Sequence, residues 1–269
     1  MSYWQDRMQA SLARISKKST RKIEKQLKKY YRTAMEQTIE DFESTYNKLL
    51  TTIEDGRDPT PADLYKLDKY WKMQGQLKQR LQVLGDKQAK ILSKEFETNF
   101  FEIYYSFAKE SLPFFSTIDE RGAQQIINSV WAADGKSWST RIWNNTSKLA
   151  DTLNEKLVDC VISGRPTSEL KKALMERFNV SYNNADMLAR TELAHIQNQA
   201  AKKRYEDAGV AKVQFWASED ERTCEVCGKS HTKTFDVHSA PQVPLHPNCR
   251  CTLIPVIDIP ELNNDDTNE

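Results

Sequence analysis

Cys224 and Cys227 stand three residues apart in TCEVC, and further on HPNCRC places His246, Cys249 and Cys251 in a second short run. A CxxC pair presents two thiolates from one tight turn, an HxxC pair presents an imidazole and a thiolate from another, and two such turns can complete the tetrahedron that zinc prefers. Pro247 stiffens the second turn. The most economical ligand set is Cys224, Cys227, His246 and Cys249. Cys251 is a substitute ligand, because a CxC pair of Cys249 and Cys251 also closes the tetrahedron and leaves His246 as a hydrogen-bonding neighbour. A knot of reduced thiols and a pair of disulfides are the remaining readings. Compartment ranks the three: no run approaches the ~18 apolar residues that span a bilayer, and MSYWQDRMQ has neither a basic leader nor an apolar core. The chain is therefore expected in a cytoplasm, where clustered cysteines are metal ligands before they are disulfides.

Four protein ligands leave no open coordination position, and catalysis by zinc needs one, so the expected site is structural. A zinc deaminase would need HxE and PCxxC; here Ile196 and Gln197 follow His195, and Thr223 precedes Cys224. A metal-dependent nuclease or related hydrolase is the alternative, built on Glu192, Asp220 and the loop histidines His231 and His238. Between the cysteine pairs the only carboxylates are Glu225 and Asp236, and both loop histidines are expected to face solvent. Cys160, in LVDCVIS, is expected to be a small buried residue rather than a nucleophile.

The elements that must carry this segment are mostly helical. Met35, Ile39, Phe42, Tyr46, Leu49 and Ile53 step by four and three along one helical stripe, which ends at EDGRDPTP. A second long helix is expected from Thr60 as N-cap, with Pro61 at its first position and Asp63 meeting the free N–H groups. Leu77, Leu81, Leu84 and Ile91 form its seam, interrupted by Gln88, and the aromatic run Phe100, Phe101, Tyr104, Tyr105 and Phe107 follows before Pro113. Residues 1–115 thus form a helical hairpin or bundle for self-association or docking. Residues 116–260 form a second unit of shorter helices, with the cysteine module at 213–257, and 261–269 are an acidic disordered tail. In that unit the helix-compatible LADTLNEKLVDCVISG follows the turn DGKSWS, a Thr167/Ser168 cap opens SELKKALMERF, and Gly209 closes a later helix. VAKVQFW alternates with period two and TLIPVI is a second β-type run, so a small sheet frames the cysteines. The fold class is mainly α, with a small α+β module at the C-terminal end.

Net charge is only +1, yet 29% of residues are charged and the charge is uneven. From Arg14 to Arg32 the chain carries nine cations, with Glu24 as the only acid. That face is either simply solvated or a contact, through Lys22, Lys25, Lys28 and Lys29, for a phosphate backbone or an acidic protein surface.

DGKSWSTRIW, SGRPTSELKKAL, LARTELAHIQNQA, DERTCEVC and PLHPNCRC, in that order over residues 134–257, resemble the successive blocks of the Mu F-type minor head proteins of tailed bacteriophages, also called phage head morphogenesis proteins. The resemblance implies a minor capsid component, present in few copies and without catalytic activity. Such a protein associates with the portal vertex during prohead assembly and supports DNA packaging, retention or delivery. The implied partners are the portal protein, then scaffold or major capsid protein, then duplex DNA without sequence preference; a membrane is not among them. The implied location is the virion, with the host cytoplasm during assembly. Some proteins with this domain carry a toxin domain after it; the chain is expected to leave no room for one beyond Ile257. Arg190 and Glu192 of the ARTE block, with Asp220, form the structural motif. Two apart on a helix, Arg190 and Glu192 need separate partners and are expected as buried polar anchors holding the helix to the cysteine module.

Overall fold

The computed structural model describes residues 3–53, 57–110, 117–218 and 223–256. The chain order is α1 (Tyr3–Thr52), α2 (Pro61–Tyr65), α3 (Asp68–Glu110), α4 (Glu120–Ile127), α5 (Trp138–Ile162), α6 (Thr167–Asp207), β1 (Lys212–Trp216), α7 (Glu225–Ser230), β2 (Thr234–Asp236) and β3 (Thr252–Val256). Mainly α with a small antiparallel sheet is therefore the observed class. Asp220 and the acidic 261–269 segment lie outside the described residues, and no described helix is long and apolar enough to cross a membrane.

α1 and α3 run antiparallel, because Lys18 meets Glu102, Tyr31 meets Gln88, and Asp41 meets Arg80. The stripe of α1 is the core side: Ile39, Phe42, Tyr46 and Leu49 are buried, with Met35 and Ile53 packed at its edge. Burying each such side chain contributes about 1.5–3 kcal/mol. On α3, Leu77, Leu81, Leu84 and Gln88 are buried, and the seam continues through Leu92 rather than Ile91, which is only partly covered. A step of four from Gln88 keeps the seam toward α1, whereas a step of three turns away from it.

Thr60 caps α2 as expected. Its hydroxyl accepts from the Asp63 N–H and the Asp63 carboxylate accepts from the Thr60 N–H. The helix does not run on, however: α2 stops at Tyr65 and α3 starts at Asp68. The Trp71 indole N–H donates to the Tyr65 carbonyl at 2.8 Å, occupying an acceptor that a continuous helix would give to residue 69.

The second half differs from expectation in the opposite sense. SELKKALMERF and the ARTE helix are one helix, α6, continuous through Asn179–Asn184. Those residues cost only tenths of a kcal/mol each as helix formers, and Ser181 is buried while the Tyr182 ring packs edge-on against Tyr31 at 5.8 Å, so packing wins. The cap is Pro166, not Thr167 or Ser168. Its carbonyl accepts from Glu169 and Leu170, and its missing N–H would have had no helical partner anyway. Gly209, at φ +71°, ends α6 as expected, with the Val210 N–H returning to the Tyr205 carbonyl. Ser137 caps α5, so the DGKSWS turn runs directly into that helix.

α6 packs on α1, α3 and α5 and then delivers the chain to the sheet, whose order is β2-β1-β3, all antiparallel. Val213 and Phe215 of β1 face the core, as their alternation required. β2 carries no alternation long enough to be read from sequence; it exists because residues 232–237 pair with β1.

Candidate metal centre and its anchors

Two short turns bring the sulfurs and the imidazole together. Cys224 is the N-cap of α7, and its Sγ accepts from the Cys227 N–H at 3.4 Å. In the second turn the Cys249 N–H donates to the His246 carbonyl, with Asn248 in the left-handed region at φ +60°. His246 Nδ1 donates to the Pro247 carbonyl at 2.9 Å. That bond fixes the tautomer and leaves the Nε2 lone pair 3.3 Å from both Cys224 Sγ and Cys227 Sγ. Cys227 Sγ also lies 3.8 Å from Cys249 Sγ, close to the edge of about 3.8 Å expected for a tetrahedron with 2.3 Å zinc–sulfur bonds.

The donors form two triads that share Cys227: Cys224, Cys227 and His246, and Cys227, Cys249 and Cys251. Cys227, Cys249 and Cys251 are buried, while Cys224 and His246 are half-buried. The Cys251 thiol donates toward Cys249, which lowers the Cys249 pKa and raises that of Cys251. Burial raises the pKa of Cys227, whereas the Cys227 N–H lowers that of Cys224. This group could hold a metal ion.

The other predicted residues fall elsewhere. Cys160 is buried, as expected. His238 is exposed beside Glu206, and His231 packs half-buried against Trp216. Neither joins the cysteines. Arg190 is not a buried anchor: it is exposed and bridges Asp186 at 2.7 Å and Glu24 at 3.3 Å, because its position on α6 faces the flank of α1. Glu192 is buried, but toward the α4–α5 connection rather than the cysteines. It accepts from the Trp131 indole N–H at 2.7 Å, with the Arg141 guanidinium 3.9 Å away. One turn on, His195 is buried with its ring stacked on Trp131 at 4.4 Å.

Thr191, Asn198 and Tyr205 of α6 anchor the cysteine module, beside His195, whose Nδ1 lies 3.4 Å from the Gln242 side-chain nitrogen. Thr191 Oγ1 accepts from the Asn248 N–H at 3.0 Å. Asn198 donates to the Cys251 carbonyl at 3.2 Å and accepts from the Leu253 N–H at 3.0 Å. The Tyr205 hydroxyl donates to the Leu253 carbonyl at 3.2 Å. These residues recur every seven positions, which puts them on one face of α6, and that polar heptad was a readable signal. Leu253 pairs with Phe215 on β1, so its outward backbone groups are the free edge of the sheet, and α6 covers them.

Glu192 and His195 should give opposite pH responses. Burial raises the Glu192 pKa above the ordinary 4.5, opposed by Trp131 and Arg141. Its contribution is thus fully present below 4.5 and is lost as pH rises through the raised value. Burial depresses His195 to about 4, so its contribution is present above 6.5 and is lost as pH falls toward 4. Glu192→Gln removes the first term only. Its stability relative to wild type should therefore fall on acidification from neutral pH, as read by urea unfolding across pH 4–7; a constant difference would contradict a Glu192 pKa raised by burial.

The fold and the donor cluster thus define a helical protein with a compact, cysteine-rich end module. Residues 151–254 match the family model described as Phage Mu protein F like protein. The match supports a role in phage head morphogenesis. Among curated proteins, the chain is similar to the NAD(+)--arginine ADP-ribosyltransferase EFV of Enterococcus faecalis, 24% identical over 294 residues, covering 98% of this chain and 57% of that protein. It is also similar to an uncharacterized protein of Haemophilus influenzae, 25% identical over 116 residues, covering 42% of this chain and 26% of that protein. The chain therefore spans about half the length of the first relative and about a quarter of the second. No solved structure matches it.

Proposed function

We propose that the chain is a minor structural protein of a phage head, which docks at the portal vertex during prohead assembly and holds a structural zinc in its end module. The observation that carries this reading is the Mu F-like segment, which contains α6, its anchor residues and all five donors. Zinc suits a set of thiolates and one imidazole, and four protein donors leave no open position for catalysis. Scaffold and major capsid protein are further candidate partners. Affinity capture of the tagged chain from producing cells should bring the portal protein with it; capture without portal from cells that assemble proheads would overturn the docking role.

The name of the Enterococcus relative raises an enzymatic reading, because it attaches ADP-ribosyl transfer from NAD to a longer protein. We place that activity outside the shared region. Among the described residues two carboxylates are buried: Glu192, covered by Trp131 and held beside Arg141, and Glu95, held by Lys22. The purified chain should neither consume NAD nor cleave DNA with added metal, and either activity, lost in Glu192→Gln, would replace the structural reading.

Retention or delivery of DNA is proposed for the outer face of α1. At 100° per residue the nine cations from Arg14 to Arg32 fall within an arc of about 140°, opposite buried Leu12, Ile23 and Leu27, and extend about 27 Å. All nine are exposed. Lys18 and Lys22 pair with Glu102 and Glu95 of α3, and Arg190 engages Glu24, the one acid of this stretch. Because Lys22 holds the buried Glu95, the ridge is better tested by changing Arg21, Lys25, Lys28 and Lys29 together to Gln. The slope of log K against log salt for duplex DNA should flatten by about 3 to 4. Unchanged, salt-insensitive binding would restore a merely solvated face.

A further inference from the structure

We infer that the metal centre carries a reserve ligand: Cys224, Cys227, His246 and Cys249 hold the ion, and Cys251 takes the place of His246 when the imidazole is lost. The inference rests on the proposal that the module binds zinc, and adds to it a fifth donor with a defined task.

The geometry separates the five donors by role. Cys227 belongs to both triads and is the donor that joins them. Cys224–Cys227 and His246–Cys249 are matched i, i+3 pairs on their own turns, each closed by a backbone N–H of its second member. His246 Nε2 already lies 3.3 Å from two sulfurs, which makes it the fourth donor of the first-choice set. Cys251 stands outside both turns at the entry to β3, where Asn198 holds its carbonyl. Its Sγ nevertheless lies within 4.8 Å of both Cys227 and Cys249 sulfurs. An ion displaced toward the second triad would keep Cys227 and Cys249, retain Cys224 from its half-buried position at the start of α7, and gain Cys251.

Cobalt(II) is the probe, because its d–d and thiolate charge-transfer bands distinguish a three-sulfur, one-nitrogen tetrahedron from a four-sulfur one. Wild type and Cys251→Ala should show the same three-sulfur spectrum, with cobalt affinities within about tenfold of each other. His246→Ala should still bind one cobalt, with the spectrum shifted to the four-sulfur form. The double variant His246→Ala/Cys251→Ala should lose tight binding, a loss that neither single variant shows. Far-UV circular dichroism of each variant without metal controls for the helical body. Loss of cobalt from His246→Ala alone, tight binding by the double variant, or a four-sulfur wild-type spectrum would each overturn the reserve role. Failure of wild type to bind cobalt or zinc at all would instead overturn the metal reading beneath it.

Discussion

Cys227→Ser should abolish stoichiometric metal binding and unfold the end module while leaving α1, α3 and α5 helical. Cys227 is the donor common to both triads, so its loss breaks both at once and leaves only two separate pairs, Cys224 with His246 and Cys249 with Cys251. Apparent binding free energy at a structural zinc site is about 10–16 kcal/mol in small modules, and there it is also folding free energy. A three-stranded sheet whose strands have five, three and five residues cannot supply that from its own core. Elemental analysis of wild type should give about one zinc per chain, and Cys227→Ser should give none. Hydrogen exchange should then report fast exchange in β1, β2 and β3 with slow exchange in α3. Wild type free of metal, with β1–β3 protected, would show that packing alone closes the module.

Asn198→Ala should be the most damaging single change outside the cysteines. The side chain is buried and serves two backbone groups at the covered edge of β3, the Cys251 carbonyl and the Leu253 N–H. Each buried group left without a partner costs about 1–3 kcal/mol, so the pair costs roughly 2–6 kcal/mol. For a chain of this size that is a drop in Tm of roughly 5–15 °C. Asn198→Asp, which keeps the acceptor for Leu253 but loses the donor for Cys251, should fall between the two. A melting curve for Asn198→Ala within about 1 °C of wild type would mean that water, not α6, satisfies the edge.

The sequence made the long elements legible because their signals are local and repeated. The α1 stripe, the Thr60 cap, the Gly209 stop and the alternation in β1 each need only neighbours a few residues apart. The donor set was legible for the same reason, since both turns announce themselves by spacing. What failed depended on distant partners. The break at Lys66 and Leu67 follows from where the Trp71 indole finds an acceptor. The continuity of α6 through Asn179–Asn184 follows from Tyr31, far away in sequence. Arg190 and Glu192 are the anchors expected from the ARTE block, yet the shorter, neutral Thr191 between them reaches the HPNC turn. On a helix that crosses several neighbours, adjacent residues point to different partners: Glu24 for Arg190, Asn248 for Thr191 and Trp131 for Glu192.

The proposed role requires that the chain be built into phage heads. Quantitative mass spectrometry of proheads, sedimented from producing cells and washed in high salt, tests it most directly. The chain should be retained in the particles at a few copies per portal ring and be missing from particles assembled without portal. Recovery of the chain only in the soluble fraction, with proheads complete and able to package DNA in its absence, would contradict it.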